Sequence, residues 1–267
     1  MPPTTKPTAQ RPAGQWALIA RRFKAHRVAV WCLYLIGAIY ILSLFAGTIA
    51  PYKRDAISLE NAYTTPFSTA PDGSYHLLGT DHLGRDSFTR LIYAARVSLT
   101  TALTVTTIST LIGIAVGLTA GYFGGIVDTI VSRSIEFIST FPTFTLLLIA
   151  GSIAIQSSDA IPIPDVFSKA ISLIMAINER ESKQVVLIIT IFVLLGWTGV
   201  ARFVRGMVLS VREQLYVESS RALGASHLHN ILTHVLPNAM PPIIVAYTLG
   251  LSGTLVSESA LSFLGFG

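Results

Sequence analysis

Residues 97–122 decide the fold: VSLTTALTVTTISTLIGIAVGLTAGY runs from Val97 to Tyr122 without one charged side chain. An α-helix needs about 20 predominantly apolar residues to cross the roughly 30 Å hydrocarbon core of a membrane. The threonines in this run do not forbid a span, because their hydroxyls can bond to the backbone of their own helix. The stretch is therefore predicted to be a transmembrane helix.

Similar runs lie on both sides of this stretch. The whole chain is 51% hydrophobic and only 12% charged, whereas soluble domains carry about 25% charged residues. A kink is expected at Pro142, and Gly124-Gly125 marks a turn. The fold class is predicted to be all-α, a polytopic transmembrane helical bundle within residues 28–267. Its five predicted spans are 28–50, 97–122, about 126–155, 185–201 and 237–257.

Polar segments precede and separate these spans. Residues 1–15 are rich in Pro, Thr and Ala and are predicted to be a disordered tail. Residues 16–27 place apolar and basic side chains at helical spacing, which indicates a basic helix on the membrane surface. The segments 51–96 and 157–184 are polar and contain prolines, and the second is expected to hold a short helix at about 166–177.

The distribution of basic residues predicts the orientation of the bundle. Residues 1–27 contain six Lys or Arg and no acid, and residues 202–236 contain four Arg against two Glu. Both segments are expected in the cytoplasm. Alternation of five spans then places 51–96 and 157–184 outside, where they hold eight basic and nine acidic residues together. These two segments are the predicted landing surface for an external partner.

Other classes of function receive little support from the composition. The net charge is +5, but the basic residues lie next to apolar runs and no nucleic-acid-binding motif accompanies them. The single cysteine, Cys32, rules out an intrachain disulfide. The histidines His227, His229 and His234 lie in a polar segment, and no Ser, His and Asp set has nucleophile spacing.

Two groups of charged residues allow alternative interpretations. The first group consists of His76, Asp81, His82 and Asp86. These residues form either a metal site or a set of turn contacts, in which the acids cap a helix and pair with Arg85 or Arg90. The second group, at the start of the third span, consists of Asp128, Arg133 and Glu136, and it forms either an ion path or an interfacial ion network.

Residues 207–237 have the pattern of two amphipathic helices joined at Gly224. Gly224 can adopt the left-handed conformation that ends a helix, Arg221 suits the negative end of that helix, and Ser226 can cap the next one. The predicted apolar stripes are Val208, Val211, Leu215, Ala222 and Leu223, then Leu228, Ile231, Leu232, Val235 and Leu236. Periodicity alone leaves open whether the pair packs on its own bundle or docks on another protein.

The spacing within this segment resembles the cytoplasmic signature of bacterial ABC importer permeases. That signature reads Glu-Ala-Ala, three residues, Gly, nine residues, an apolar position, one residue and Leu-Pro. Here the spacing is complete, with serines at both alanine positions and His234 at the apolar one. The residues that the resemblance assigns to coupling are Glu218, Ser219, Ser220, Arg221, Ala222, Leu223, Gly224, Leu236 and Pro237.

A second resemblance lies before the second span, in residues 78–86 and 90–99. It is similar to the dipeptide, oligopeptide and nickel branch of those permeases, and to the C-type subunit of the permease heterodimer. Residues 121–125, 139–142 and 258–267 extend the likeness, which covers the chain from Trp16 onwards. The external motif that it implies consists of Gly79, Thr80, Asp81, Gly84, Arg85 and Asp86.

The resemblance implies a multi-pass subunit of the bacterial inner membrane, with its amino terminus in the cytoplasm. Two permease subunits would form the path for peptides or a similar small solute, haem and nickel included. An external solute-binding protein would deliver that solute, and the helix-turn-helix of residues 207–237 would dock on a cytoplasmic ATP-binding subunit. No phosphate-loop sequence is present, so ATP and magnesium are expected on that partner and no cofactor in this chain.

The family continues past Gly267 into a sixth span, so a sixth helix is expected beyond the five. The alternatives to a permease are an ion-driven secondary carrier, with internal repeats and acids within its spans, and a membrane enzyme, with clustered titratable groups.

Overall fold

The computed structural model describes residues 24–156 and 164–266, and the described chain divides into two compact units at the boundary between Ala95 and Arg96. The tail 1–15 and residues 16–23 of the basic helix lie outside the described residues. The first unit begins with helices α1, Arg27–Leu44, and α2, Ala46–Ile49. A 3-10 turn at Leu59–Asn61 follows, and then an antiparallel hairpin of β1, Ser68–Thr69, and β2, Tyr75–His76.

The remaining elements are helices, and together they form a mostly α-helical polytopic membrane protein. They are α3, Ser87–Phe123, α4, Gly125–Ser139, α5, Thr143–Gln156, α6, Asp165–Met175, and α7, Glu179–Arg212. They continue with α8, Leu215–Ala222, α9, His227–Asn230, a wide π turn, Ile231–Val235, α10, Leu236–Leu261, and a second π turn, Ser262–Phe266. The short helix expected at 166–177 is α6.

Among the described residues, four helical stretches are long and apolar enough to cross a membrane: α1, α3, α7 and the stretch from His227 to Gly265 that contains α10. The third predicted span, 126–155, is not one helix. It is divided into α4 and α5, with 15 and 14 residues, around Pro142. Proline lacks the backbone N–H and clashes with the preceding turn. The expected kink is therefore a break, and among the described residues four of the five predicted spans lie in long single helices.

Several boundaries also differ from the predicted ones. Helix α3 begins at Ser87, ten residues before the predicted span, because Asp86 accepts a hydrogen bond from the backbone N–H of Thr89 at 2.7 Å and caps the first turn. Pro241 and Pro242 lie inside α10. That helix begins at Leu236 with Pro237 in its first turn, the position where a missing N–H costs least.

The second unit is centred on close contact between α3 and α7. Gly113, Gly117 and Gly121 recur every fourth residue and face Val200, Val204 and Val208, which recur at the same interval. A Cβ built on these glycines would lie 2.6, 2.8 and 2.7 Å from the Cβ atoms of the three valines, in that order. Small residues at this spacing let two membrane helices approach closely. The sequence analysis did not identify this contact.

The contact between α3 and α10 is of a different kind. The Thr107 hydroxyl lies 3.0 Å from the Tyr247 hydroxyl, and the Thr106 hydroxyl lies 3.3 Å from that of Thr254. Hydroxyl pairs of this kind are worth only about 0.6 kcal/mol on average inside membrane proteins. We call this contact, formed by Thr106, Thr107, Tyr247 and Thr254, the polar seam.

The glycine contact generates a stability prediction with a matched control. Gly117→Ala should lower the free energy of unfolding by about 1–3 kcal/mol, because the added methyl group meets backbone and a β-branched side chain. Gly199→Ala in α7 is the control, since no described heavy atom lies within 4 Å of a Cβ at that position. Thermal unfolding of the purified protein in detergent measures both. Equal midpoints for the two variants would contradict the close contact.

Candidate functional site

The residues assigned to coupling form a compact element that follows α7. The first amphipathic helix was expected to run from Met207, but α7 ends at Arg212 and Gln214 is extended before α8 begins. The segment predicted as two helices is thus divided among the end of α7, α8, α9, the π turn and the start of α10. The coupling residues 218–224 lie on α8 and its end, and Leu236 and Pro237 open α10.

The turn between α8 and α9 has the predicted conformation. Gly224 has φ +83°, a value that L side chains rarely adopt, and it follows the end of α8 directly. Ser226 caps α9, since its hydroxyl oxygen accepts a hydrogen bond from the His229 N–H at 3.3 Å. The Arg221 guanidinium also forms a cation–π contact with Tyr122 of α3, since it lies 4.6 Å from the centroid of that ring.

Burial divides the predicted apolar stripes into two sets. Val208, Val217 and Val235 are fully buried and belong to one core cluster with Leu118 and Tyr122 of α3. The second set consists of exposed leucines, which do not pack on the helical bundle. Its members, with exposed fractions of 79%, 88%, 66% and 54%, are Leu215, Leu223, Leu228 and Leu232. Helix α8 therefore has one face in the core and another that is exposed.

The exposed side of this element combines apolar and charged groups. Glu218, Ser219, Arg221 and Ala222 are exposed beside the four leucines, while Ser220, Leu236 and Pro237 are partly buried. Rows of exposed large apolar side chains rimmed by charges are typical of protein–protein contact surfaces. We call this surface, formed by Leu215, Glu218, Leu223, Leu228 and Leu232, the coupling surface.

Two arginines of α7 tie this region to the ends of α3 and α4. Arg205 forms a bidentate ion pair with Asp128 of α4, with the Nη2–Oδ2 distance at 2.7 Å. Arg212 donates a hydrogen bond to the Gly121 carbonyl of α3 at 2.9 Å. These contacts join α7, which directly precedes the element with the coupling surface, to α3 and α4.

The ion network predicted at the start of the third span is confirmed for one acid only. Glu136 pairs with Arg133 at 2.7 Å. Asp128 does not, because Arg133 follows it by five residues, whereas only residues three or four apart face each other on a helix. Its partner is Arg205, which no local spacing could identify.

The external motif forms a tightly bonded loop in the first unit. Gly79 and Gly84 both have φ +71°, and a Cβ at either would collide with a backbone oxygen, that of Thr64 or that of Ser58. The Thr80 hydroxyl accepts from the Thr64 N–H at 2.9 Å and donates to the Asn61 carbonyl. The glycines of the motif are therefore required by backbone geometry.

Asp81 is the centre of that loop. It accepts hydrogen bonds from the N–H groups of Leu83 and Arg85 at 2.9 and 3.0 Å, and from the guanidinium groups of Arg85 and Arg90 at 2.8 and 2.5 Å. Partial burial disfavours the charged carboxylate, but these donors outweigh it and lower the pKa of Asp81 to about 2. The interpretation of this group as turn chemistry is confirmed.

A buried hydrogen-bond chain that the sequence analysis missed lies beside this loop. The Ser74 hydroxyl is 2.9 Å from Nε2 of His76, whose Nδ1 is 2.9 Å from Asp86 Oδ1. The order of groups matches that of a hydrolytic triad, but His76 is only 3% exposed and the Ser74 hydroxyl donates to Asp72 at 2.5 Å. The chain joins the hairpin to the start of α3. Among the described residues, no group of three or more His, Cys, Asp or Glu suits a metal ion.

Asp81 generates a prediction on pH. A folded-state pKa below the usual 3.8 means that the contacts of Asp81 stabilise the loop fully above about pH 4 and lose that effect as the pH falls towards about 2.

Asp81→Asn removes the charge of this carboxylate at every pH, so it should reduce amide protection of residues 58–90 already at pH 7. Hydrogen exchange read by mass spectrometry, corrected for intrinsic rates, measures this loss. Asp55→Asn is the control, since that side chain is 86% exposed. Unchanged protection in the Asp81 variant would contradict this role.

Comparisons with known proteins place the chain in a family. Residues 113–267 match the family described as binding-protein-dependent transport system inner membrane component. Residues 14–67 match the N-terminal transmembrane domain of oligopeptide transport permease C. The two matches together include α1, α2, residues 113–123 of α3 and every later element.

Individual relatives agree with this placement. The chain is 32% identical over 249 residues to the dipeptide transport system permease protein DppC of Bacillus subtilis, with 92% of this chain and 67% of that protein covered. It is 29% identical over 252 residues to the oligopeptide permease OppC of the same organism, covering 94% and 72%. It is 30% identical over 265 residues to the glutathione transport system permease protein GsiD of Escherichia coli, covering 99% and 76%. The chain therefore belongs to the binding-protein-dependent transport permeases, a family of multi-pass membrane proteins, and within it to the C-type subunits.

Proposed function

We propose that this chain is one of two homologous permease subunits of an ATP-driven importer in the bacterial inner membrane, and that the solute is a peptide or a similar small molecule. The observation that carries the proposal is the coupling surface, a row of exposed leucines around Glu218 on an element held by the Gly224 turn. Such a surface has a function only when a partner covers it. The names of the relatives, which transport dipeptides, oligopeptides and glutathione, support the solute class.

The partner proposed for the coupling surface is a cytoplasmic ATP-binding subunit, which holds ATP and magnesium. Val217 and Val235 anchor the element in the core, and Arg221 lies on Tyr122 of α3. A push on the leucines of α8 and α9 would therefore act on both α10 and the end of α3. In this role the chain itself hydrolyses no ATP. It converts the closing movement of the ATP-binding subunit into movement of its own helices.

The other proposed partner is an extracytoplasmic binding protein that delivers the solute to the segments 51–96 and 157–184. The loop around Asp81 is rigid, and it displays the aromatic side chains of Tyr63 and Phe67, both exposed. Both residues also have positive φ, at 57° and 56°, a conformation that bulky residues adopt only when their surroundings enforce it. This arrangement supports a preformed contact surface. The amino terminus and residues 202–236 are proposed to be cytoplasmic.

Two substitutions in the coupling element test the proposal. Gly224→Val places a Cβ at φ +83°, at a cost of about 1–2 kcal/mol, and tilts α9 against α8. Glu218→Ala removes an exposed charge, and loss of one partner of a buried interfacial ion pair costs roughly 2–5 kcal/mol. Both variants should keep normal membrane abundance while solute uptake and ATP hydrolysis stimulated by the loaded binding protein fall together.

The assay uses the complex reconstituted in proteoliposomes, with and without the binding protein and solute. Glu213→Ala, which removes a carboxylate that is 74% exposed and lies just before α8, is the matched control. Stimulated ATP hydrolysis that stays at the wild-type level in both test variants would contradict the coupling assignment. Stimulation that needs no binding protein would contradict the proposed delivery route.

A further inference from the structure

Glu258 is an acidic residue in the last turns of α10, and no part of the coupling or external machinery uses it. The Ser98 hydroxyl of α3 faces the Glu258 carboxyl. Among the described residues, no hydrogen-bond donor reaches its Oε2, which is shielded from solvent. A shielded carboxylate with one free oxygen is costly unless a cation or further donors complete it.

The surroundings of Glu258 continue the polar seam. Tyr247, Gly250, Thr254 and Glu258 follow one another at intervals of three, four and four residues, so they share one face of α10. Opposite them on α3 are Thr107, Thr106 and Ser98. A row of hydroxyls that ends at a carboxylate is a suitable lining for a polar cation and a poor one for lipid.

The seam is also less closely packed than the glycine contact, since a Cβ at Gly250 would lie 3.5 Å from the nearest atom of Thr106. The glycine contact of α3 with α7 has no spare volume, whereas α3 and α10 are joined by hydroxyl pairs at 3.0 and 3.3 Å. Separation of α10 from α3 along the seam breaks these two contacts and the one between Ser98 and Glu258, and it exposes Oε2 of Glu258. Leu236, at the coupling end of the same helix, precedes Glu258 by 22 residues, about 33 Å along a straight helix.

We propose that Glu258 and the polar seam form a binding site for the primary ammonium group at the amino terminus of the transported peptide. The ammonium donates to Oε2, and the hydroxyls of Ser98 and Thr254 are placed to accept its remaining hydrogens. Because α10 carries both this carboxylate and the Leu236-Pro237 end of the coupling element, occupancy of the site and the position of the coupling surface change together. This inference rests on the proposed peptide transport.

The test compares two peptides in the complete reconstituted complex. Uptake of trialanine and of N-acetyl-trialanine is measured for the wild type and for Glu258→Gln, and the free-to-acetylated uptake ratio is formed for each. Dividing the wild-type ratio by the variant ratio cancels the preference of the binding protein for one peptide, because the same binding protein serves both complexes. We expect the free-to-acetylated uptake ratio of Glu258→Gln to be at least about tenfold smaller than that of the wild type, as for loss of a charged hydrogen bond.

Three further measurements keep the outcome decisive. Glu258→Asp should recover most of the discrimination, and Glu213→Gln, at a carboxylate that is 74% exposed and lies just before α8, should leave the ratio unchanged. Copurification with the second permease subunit should be normal in Glu258→Gln; a loss would mean that Glu258 pairs with that subunit and would overturn the site. An unchanged ratio in a well-assembled variant would also overturn it, while leaving peptide transport intact. A wild-type complex that transports neither peptide would overturn the proposed function and this site with it.

Discussion

Three glycines of α3 set against three valines of α7 are the contact on which the second unit depends. Because Gly113, Gly117 and Gly121 have no Cβ, α3 and α7 approach until the valine side chains touch the α3 backbone. In a membrane, where no hydrophobic effect drives helices together, such close van der Waals contact is a main source of association. At its last turn, the contact brings Gly121 within reach of Arg212.

The coupling element inherits its position from this contact. Tyr122 follows Gly121 directly, and its ring supports the Arg221 guanidinium. Val208 joins the same core cluster as Val217 and Val235, so α8 and the π turn before α10 pack on the end of the glycine contact. The α3–α7 pair therefore supports the coupling element directly, while α10 joins the unit through the hydroxyl contacts and through buried Ile243 and Leu261.

Much of this arrangement could be predicted from local sequence, and the exceptions have a common cause. The uncharged run 97–122, the positive φ of Gly224, the cap at Ser226 and the turn chemistry of Asp81 all follow from residues close together in the chain. The Asp128–Arg205 pair and the Gly–Val contact join residues far apart in the sequence, so periodicity within one helix could not show them. The break before α8 was missed because the amphipathic period continues across Gln214, although the backbone there is extended.

The central claim is that the coupling surface docks on an ATP-binding subunit, and cysteine cross-linking tests it most directly. Leu223→Cys in a Cys32→Ser background places one thiol on the most exposed leucine of that surface, 88% exposed, beside the Gly224 turn. In membranes that contain the whole complex, a short bifunctional thiol reagent should link position 223 to a cysteine introduced in the ATP-binding subunit, with a yield that changes when ATP is added. Labelling of position 223 by a membrane-impermeant reagent from the external side, with no cross-link formed, would contradict the account.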